Sequence, residues 1–331
     1  MQDSMLTPSI EADPRAGKVV RVQSRAFRAD LTLIVVVIIW GATFVSVQKA
    51  IDEIPVHCFH VLRFGLATLV LLPMLWIRRP RKVQKPPLGL LWKAGCLAGL
   101  CLWGAYSLQT TGLLHTTPSH SGLLTGTAVV IVPVLAFLIL RQPLEKRVVM
   151  GVSMAAIGLA LLSLGGPSTS EAPPPDPNIP YGDLLTFGCA ICFAFQIIVK
   201  ARWASQLSSL ALTIVELGTV FLLSLAAALL LEEIPDPATL SNQVWGAVLL
   251  TGVLATAFAF LAQSWAQQTT TAIRTAVIFS FEPVTAACFS WLLIGEVMSG
   301  WAVLGGMLII GGMLRTVIGA DEKTDSELAE P

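Results

Sequence analysis

Charge is scarce along this chain. Asp, Glu, Lys and Arg make up 13% of the residues, hydrophobic residues make up 54%, and the mean hydropathy is +0.74. A soluble domain usually carries about 25% charged residues. The 21 basic and 21 acidic residues cancel to a net charge of zero, so no basic surface for nucleic acid is indicated. The composition is typical of a protein embedded in a membrane.

The chain also lacks the short motifs that several classes of enzyme and pump require. It contains no G-x-x-x-x-G-K-[ST] for ATP, no H-E-x-x-H and no G-x-S-x-G. Asp183 in Y-G-D suggests an intramembrane aspartyl protease. That chemistry needs two carboxylates in one site, and no second Asp lies within a predicted span. Cys189 and Cys192 form a C-x-x-C without a second pair or a nearby His, so we interpret them as packing residues. We therefore predict no enzyme, cofactor or metal site; a membrane-embedded enzyme and a channel, for which no filter is visible, are the alternatives from other classes.

Ten apolar runs are long enough to cross a bilayer, which takes about 20 residues of helix. The sequence therefore predicts an all-α polytopic membrane protein with ten transmembrane helices. The first run begins after about thirty residues without a small-residue cleavage site, so we interpret it as a retained span. The predicted spans are residues 31–51, 57–77, 88–110, 118–140, 147–165, 181–200, 209–231, 243–266, 272–295 and 299–318.

The basic residues predict the orientation of these spans. If the N-terminus is cytoplasmic, all but two of the 21 Lys and Arg residues fall on the cytoplasmic side or can reach it. The exceptions are Lys49 and Arg63, towards the outer ends of the first two spans. We therefore predict a multi-pass protein of the plasma (inner) membrane with both termini cytoplasmic.

The two halves of the chain resemble each other. A shift of about 154 residues places Tyr106 on Phe260, Gln109 on Gln263 and His120 on Arg274; in the first two spans a shift of 153 places Asp30 on Asp183 and Arg63 on Glu216. Because each half has five spans, an odd number, the second half must cross the membrane in the opposite sense, which is typical of secondary transporters. The predicted units are a flexible tail (1–30), a first repeat (31–165), a Pro-rich external linker (166–180), a second repeat (181–318) and a C-terminal tail (319–331).

Three motifs carry a family resemblance. W-G-A-T-F at 40–44, L-R-F-G-L-A at 62–67, and F-E-P-V-T-A-A at 281–287 followed by L-L-I-G-E at 292–296 resemble the EamA-type transporters of the drug/metabolite transporter superfamily. The resemblance covers about residues 31 to 318. It implies five plus five spans and ATP-independent export or exchange of small metabolites, amino acids or amphipathic amines. It also implies a cavity lined by spans three, four, eight and nine with help from one and six, and packing of span five on span ten. The first half departs from the pattern, with Val129 in place of Pro283 and Arg141-Gln142 in place of Gly295-Glu296.

Three of the charged residues inside predicted spans are candidates for function. Glu282 is near the midplane, where a charge costs at least about 2.5 kcal/mol and therefore faces the bundle interior or a wet cavity. It could bind a substrate ammonium, carry a proton, or hydrogen-bond backbone groups freed by Pro283. Arg63 and Glu216 are candidates for gating or proton coupling; structural roles are the alternative. Pro133 and Pro283 are candidate hinges.

Aromatic and amide side chains mark the predicted substrate cavity. Trp103, Tyr106 and Gln109 share one helical face, which Phe260 and Gln263 repeat in the eighth span. Such faces suit an amphipathic organic solute, although helix packing is an alternative use. Glycines in spans five and ten predict close packing of these spans or a homodimer through them. The full set of cavity candidates is Trp40, Trp103, Tyr106, Gln109, His120, Gln196, Phe260, Gln263 and Glu282.

The predicted function is secondary transport of small organic metabolites by alternating access, with amino acids or amphipathic amines as exported or exchanged solutes. A carrier for nucleotide-linked or sugar metabolites is the alternative within the same class. The expected partners are the lipid bilayer and a small-molecule substrate.

Overall fold

The computed structural model describes residues 14–77, 88–116, 118–164, 179–294 and 299–318, without the side chains of 14–24, 118–120, 163–164, 179, 290, 293–294 and 317–318. The predicted C-terminal tail, all but the end of the predicted linker, and the Gly295-Glu296 motif lie outside these residues. We call the two ends of the bundle cytoplasmic and external after the charge-based prediction.

Every regular element in the described ranges is helical. Eight helical segments are long and apolar enough to cross a membrane, and Gly300–Thr316 is a shorter apolar helix. The prediction of an all-α polytopic membrane protein is thus confirmed. The helices are α1 (Pro14–Ile51), α2 (Val56–Leu71), α3 (Met74–Ile77), α4 (Leu88–Leu113), α5 (Pro118–Gly126), α6 (Ala128–Leu140), α7 (Lys146–Leu164), α8 (Ile179–Trp203), α9 (Ser209–Leu231), α10 (Asn242–Leu249), α11 (Ala259–Ala266), α12 (Ala272–Phe279), α13 (Glu282–Ile294) and α14 (Gly300–Ile318).

The first helix is longer than predicted. It begins at Pro14, inside the predicted tail of residues 1–30, and runs on to Ile51. Proline is tolerated in a first helical turn, and the Ala, Arg, Val and Gln residues that follow are compatible with helix. The predicted boundary between tail and first repeat, at residue 30, thus falls inside α1, and residues 1–13 lie outside the described part of the chain.

Side-chain oxygens cap several helices where they begin. The Thr271 hydroxyl accepts a hydrogen bond from the Arg274 backbone N–H (3.1 Å) at the start of α12. The start of α2 is capped from α9 instead: the two Glu232 carboxylate oxygens accept the backbone N–H groups of His57 and Cys58, each at 2.9 Å. Because the first N–H groups of a helix have no partner inside it, this carboxylate both satisfies them and ties the two halves of the chain together.

Two of the ten predicted spans are broken at equivalent positions. The fourth span is interrupted at Thr127, between α5 and α6, and the ninth at Ser280 and Phe281, between α12 and α13. The repeat shift of 154 places Thr127 on Phe281. Breaks in helices at membrane depth are tolerated where the freed backbone faces protein or a cavity, and they are a feature of transporter binding sites.

The eighth span has an irregularity of a different kind. Between α10 and α11 the chain forms a π-helical segment, Leu250–Phe258. Its equivalent in the first half lies within α4, which is α-helical throughout. Such segments shift backbone carbonyls away from their usual partners and often occur at functional sites.

Glycines allow α7 and α14 to pack backbone against backbone. A methyl group at Gly158 would lie 2.5 Å from the Gly305 carbonyl oxygen, and one at Gly151 would lie 2.1 Å from the Thr316 hydroxyl. These glycines therefore serve contacts inside the chain. A homodimer through the same two spans, which stays a prediction, would have to use their other faces.

The cytoplasmic end of the bundle is closed by an ion pair above an apolar cluster. The Arg274 guanidinium of α12 donates to both carboxylate oxygens of Asp30 on α1, from Nε at 2.9 Å and from Nη2. Both side chains are buried. Beside them a cluster of buried aliphatic residues fills the space between α1, α6, α8 and α12; its members include Leu33, Val37, Val132, Ile197, Ile273 and Val277.

Candidate functional site

A cavity of about 530 Å³ lies in the middle of the bundle. Its walls come from both halves of the chain: α1, α4, α5 and α6 of the first half, and α8, α11, α12 and α13 of the second. Seven of the nine predicted cavity residues line it. Its lining is Trp40, Tyr106, Gln109, Thr125, Gly126, Ala128, Val129, Phe193, Gln196, Ile197, Phe260, Gln263, Ala276, Phe279, Ser280 and Glu282.

Aromatic rings form one wall of this cavity. Trp40 lies edge-on to Phe279, with ring centroids 4.9 Å apart, and is tilted against Phe260 at 5.6 Å. Tyr106 meets Phe193 and Phe260 edge to face, at 5.4 and 6.2 Å. Edge-to-face packing leaves ring faces free to contact a cation or a hydrocarbon group.

The π-helical segment positions Trp40 in this wall. The indole Nε1 of Trp40 donates to the Ala255 carbonyl at 2.8 Å. A carbonyl released from the regular helical ladder is a ready acceptor, and the bond fixes the ring orientation. The irregular backbone of the second half thus holds an aromatic side chain of the first half.

Glu282 is the first residue of α13, at the helix break. Its side chain is 9% exposed and lines the cavity, and it forms no ion pair or hydrogen bond to another side chain within the described residues. Pro283 follows in the first turn of α13, where a missing backbone N–H costs little. A carboxylate at this depth that forms no ion pair with the protein can be neutralised by a cationic substrate group or by a proton.

Arg63 supplies the opposite charge beside the same residue. A second pocket of about 370 Å³ adjoins the cavity and is lined by Arg63, Tyr106, Thr110 and Glu282, among others. The Arg63 guanidinium donates to the Thr256 hydroxyl (2.7 Å) and the Tyr106 hydroxyl (3.2 Å), and lies 4.5 Å from the Tyr106 ring centroid. No ion pair to Arg63 forms within the described residues. The pocket therefore presents one buried cation and one buried anion to the same space.

Two amides form a polar wall, and an ion pair lies behind them. The Gln196 amide nitrogen donates to the Gln263 carbonyl oxygen (3.3 Å), and Gln263 donates back to Gln196 (3.1 Å). Gln196 also donates to Glu216 at 2.6 Å. Lys200 donates to Glu216 at 2.8 Å and to Gln263 at 3.3 Å. The amides of Gln196 and Gln263 are thus each held by a charged group.

The contact between Lys200 and Glu216 bears on the predicted role of Glu216. Glu216 has no counter-charge near it in sequence, which suggested a proton-carrying or gating role. In the structure both side chains are fully buried and paired with each other. The positive-inside pattern places Lys200, at the end of the predicted span 181–200, on the cytoplasmic side, and the extension of α8 to Trp203 brings it inside. The Lys200 ammonium neutralises Glu216, so the reason for giving Glu216 a proton role is removed.

The remaining predicted residues lie outside the two pockets, or their side chains are not among the described residues. Trp103 stacks on His57, with ring centroids 6.2 Å apart, instead of lining the cavity. The His120 side chain lies outside the described residues. Pro133 lies inside α6, six residues after the break at Thr127, so the backbone discontinuity does not coincide with it. At the second break Pro283 does lie beside the discontinuity.

Several residues of the site had no detectable signal in the sequence. Phe193, Phe279 and Thr125 line the cavity, and Thr256 holds Arg63, but all four resemble ordinary apolar or small residues of a span. The repeat could have indicated Phe279, because the shift of 154 places it on Thr125, which also lines the cavity.

Comparisons with known proteins identify the family. The model of the EamA-like transporter family matches the chain twice, at residues 27–164 and 180–318. An uncharacterized transporter of Archaeoglobus fulgidus is 30% identical over 282 residues, covering 85% of this chain and 83% of the relative. The uncharacterized transporter YetK of Bacillus subtilis is 26% identical, with 91% and 89% covered.

Two further similarities are more distant. A protein of Streptantibioticus cattleyicolor described as "Probable terminal-alkyne amino-acid exporter" is 25% identical over 303 residues, with 87% of this chain and 92% of that protein covered. A solved crystal structure superposes with a TM-score of 0.70 at 19% identity, covering 89% of this chain and 98% of the other, and supports the fold alone. With the family model matched in both halves of the chain, the protein belongs to the EamA-like transporter family and is a multi-pass membrane transporter.

Proposed function

We propose that this transporter is a secondary carrier that exports or exchanges amino acids or amphipathic amines by alternating access. One observation carries the proposal: the Glu282 carboxylate forms no ion pair within the described chain and faces a cavity walled by aromatic rings. An ammonium group satisfies the carboxylate, and the attached hydrocarbon packs on the rings.

Arg63 extends the proposal to zwitterions. An α-amino acid carries an ammonium and a carboxylate, and the 370 Å³ pocket offers Glu282 to the first and Arg63 to the second. A guanidinium recognises a carboxylate through two parallel hydrogen bonds. The amino-acid export ascribed to the Streptantibioticus relative is consistent with this chemistry.

Nucleotide-linked solutes fit the pockets less well. Their phosphates require several cationic or N–H donors, and Arg63 is the one Lys or Arg side chain that lines either pocket in the described chain. The aromatic wall would accept a base, but the charge of a diphosphate would meet Glu282.

Counterflow in proteoliposomes tests the proposal. Vesicles with purified protein are loaded with unlabelled phenylalanine, phenethylamine or a UDP-sugar, and entry of the same labelled solute is followed at equal pH on both sides. We expect transient accumulation of labelled phenylalanine and phenethylamine. Accumulation of the UDP-sugar alone would replace this proposal with the nucleotide-linked one, and no accumulation of any solute would contradict it.

A further inference from the structure

A second polar region lies beside the cavity, between α2 and α4. Trp103, Ser107 and Thr110 share one face of α4. This face meets α2 at two points: His57 stacks on Trp103, and the His60 Nε2 lies 3.0 Å from the Thr110 hydroxyl. We call these five residues the histidine cluster.

The histidine cluster contains four buried polar atoms without a hydrogen-bond partner among the described residues. They are the Nδ1 atoms of His57 and His60, the Nε1 of Trp103 and the Oγ of Ser107. Leaving one such group unsatisfied costs about 1–3 kcal/mol, so buried polar atoms in native proteins pair with protein or with ordered water. Four such atoms in one place provide the several polar partners that a buried water requires.

The cluster connects the external end of the bundle to the cavity. His57 lies in the first turn of α2, four residues after the exposed loop residue Glu53, and is half-buried. His60 lies one turn further in, is fully buried, and has its ring centroid 6.0 Å from that of His57. Its partner Thr110 lines the 370 Å³ pocket together with Glu282. Neither histidine lines that pocket, so the route runs alongside it.

We propose that His57, His60 and Thr110 form a proton path from the external face to Glu282, and that this path couples transport to the proton gradient. The inference rests on the proposed function, because it takes Glu282 as the group that binds the solute's ammonium. A proton arriving at Glu282 by a side route displaces that ammonium while the solute still fills the pocket.

Each step of the path conserves protons. External hydronium protonates one nitrogen of His57 and becomes water. The imidazole releases the proton from its other nitrogen, through water, to His60 Nδ1. His60 gives up its Nε2 proton to the Thr110 hydroxyl, whose own proton leaves through water in the shared pocket to Glu282. Each ring then rotates back to its starting tautomer, which frees the accepting nitrogen for the next proton. At Glu282 an O–H bond forms and the ammonium–carboxylate pair separates. On the cytoplasmic side the carboxyl loses the proton to water and binds the next ammonium, so one proton enters for each cation exported.

The charges around the path favour capture at its entrance and prevent storage in its middle. The Glu232 carboxylate lies against the first turn of α2 and attracts a positive charge at His57. Arg63 lies one turn beyond His60 and repels a static charge there, so His60 passes a proton on instead of holding it. The other titratable groups near the path are Cys58 on α2 and Tyr106 on α4, whose ring centroid lies 6.1 Å from that of His60.

Two measurements on the same proteoliposomes test the path. Counterflow of labelled phenylalanine and phenethylamine at equal pH reports solute exchange, and accumulation of the same labels under an imposed pH gradient, with trapped pyranine to follow lumenal pH, reports coupling. The variants are His57→Gln and His60→Gln, and the control is His115→Gln, another half-buried histidine at the external end, whose ring contacts Tyr181.

We expect both path variants to keep wild-type counterflow and to lose gradient-driven accumulation by about tenfold or more, while His115→Gln keeps both. Added imidazole should restore coupling in His57→Ala, which a structural role for His57 would not produce.

Wild-type coupling in His57→Gln and His60→Gln would overturn the proton path. Wild-type counterflow without any response to pH would overturn it while leaving the carrier standing, whereas absent counterflow would overturn the carrier itself. If His60→Gln fails to fold, the half-buried His57 carries the test alone.

Discussion

At the scale of single residues, Glu282 distinguishes this site from an ordinary packed core. Replacing it with Gln keeps the shape of the side chain and removes the charge. A hydrogen bond to a charged group is worth about 1.5–3 kcal/mol, so we expect Glu282→Gln to lower the apparent affinity for phenethylamine by about 10- to 100-fold. The concentration dependence of counterflow measures this loss.

The control for this substitution is Glu53→Gln, in the exposed loop between α1 and α2. It makes the same chemical change far from the cavity and should leave counterflow as it is in the wild type. An equal loss in both variants, or none in Glu282→Gln, would show that the carboxylate does not contact the solute.

A second residue carries backbone strain. Arg141 ends α6 with a φ of 55°, in the left-handed region that favours glycine. The repeat shift of 154 places it on Gly295. An L-residue pays about 1 kcal/mol or more in this conformation, so Arg141→Gly should be more stable than Arg141→Ala by about that amount.

Because both Arg141 variants lose the same charge, their difference isolates the backbone term. Thermal unfolding in detergent measures it as a higher melting temperature for Arg141→Gly. Equal melting temperatures would indicate that Arg141 adopts the left-handed conformation without cost.

At the scale of helices, the contact between α7 and α14 depends on the absence of side chains. We expect Gly158→Ala to destabilise the protein by about 1–3 kcal/mol, because the added methyl group meets the Gly305 carbonyl oxygen and the helices must separate. Gly218, inside α9, has no neighbour within 4 Å of an added methyl group. There the same substitution should stabilise by about 0.5–1 kcal/mol through helix propensity. Melting temperatures that move in the same direction would contradict the packing argument.

The positions of the helices were predictable from the sequence because apolar length is the main requirement for a span. The predicted span 209–231 coincides with α9. Most of the others differ by a few residues or are interrupted, whereas α1 begins seventeen residues before the predicted first span. The break at Thr127 was not predicted, since Val129 lacks the proline signal of Pro283. The two observed breaks nevertheless lie at equivalent positions of the repeat, because Thr127 and Phe281 are 154 residues apart.

The candidate site was predictable where the residue type is unusual for a membrane. An intramembrane Glu, two amides and a Trp stand out against an apolar background, and Trp40, Gln196, Gln263 and Glu282 all line one cavity. Pairing between distant segments was not predictable. Lys200 and Glu216 are a span apart, and the π-helical carbonyl of Ala255 that holds Trp40 leaves no trace in the local pattern.

At the scale of the whole molecule, the two ends of the bundle differ. The 370 Å³ pocket extends from Glu282 to Val47 and Leu113, near the external ends of α1 and α4. Towards the cytoplasm the space is filled by the aliphatic cluster and the pair of Asp30 and Arg274. The pocket therefore reaches towards the end that we call external. In the proposed alternating-access cycle this pair has to separate, because it joins α1 of the first half to α12 of the second.

A double-mutant cycle tests this role for the pair. Asp30→Asn or Arg274→Gln alone leaves one buried charge without its partner, which costs about 3–5 kcal/mol, whereas the double variant removes both charges. We therefore expect the double variant to melt at a higher temperature than either single variant, with a coupling energy within about 0.5–3 kcal/mol.

The same double variant should also open the cytoplasmic end more often, since the contact that holds this end closed is gone. Ala276 lines the cavity and packs in the aliphatic cluster. In a chain without other cysteines, Ala276→Cys should react faster with a membrane-impermeant maleimide in inside-out vesicles when the pair is removed, and no faster in right-side-out vesicles. A rise in reactivity from both sides would indicate general loosening of the bundle, and unchanged reactivity from the cytoplasmic side would show that the ion pair is a structural contact and not a gate.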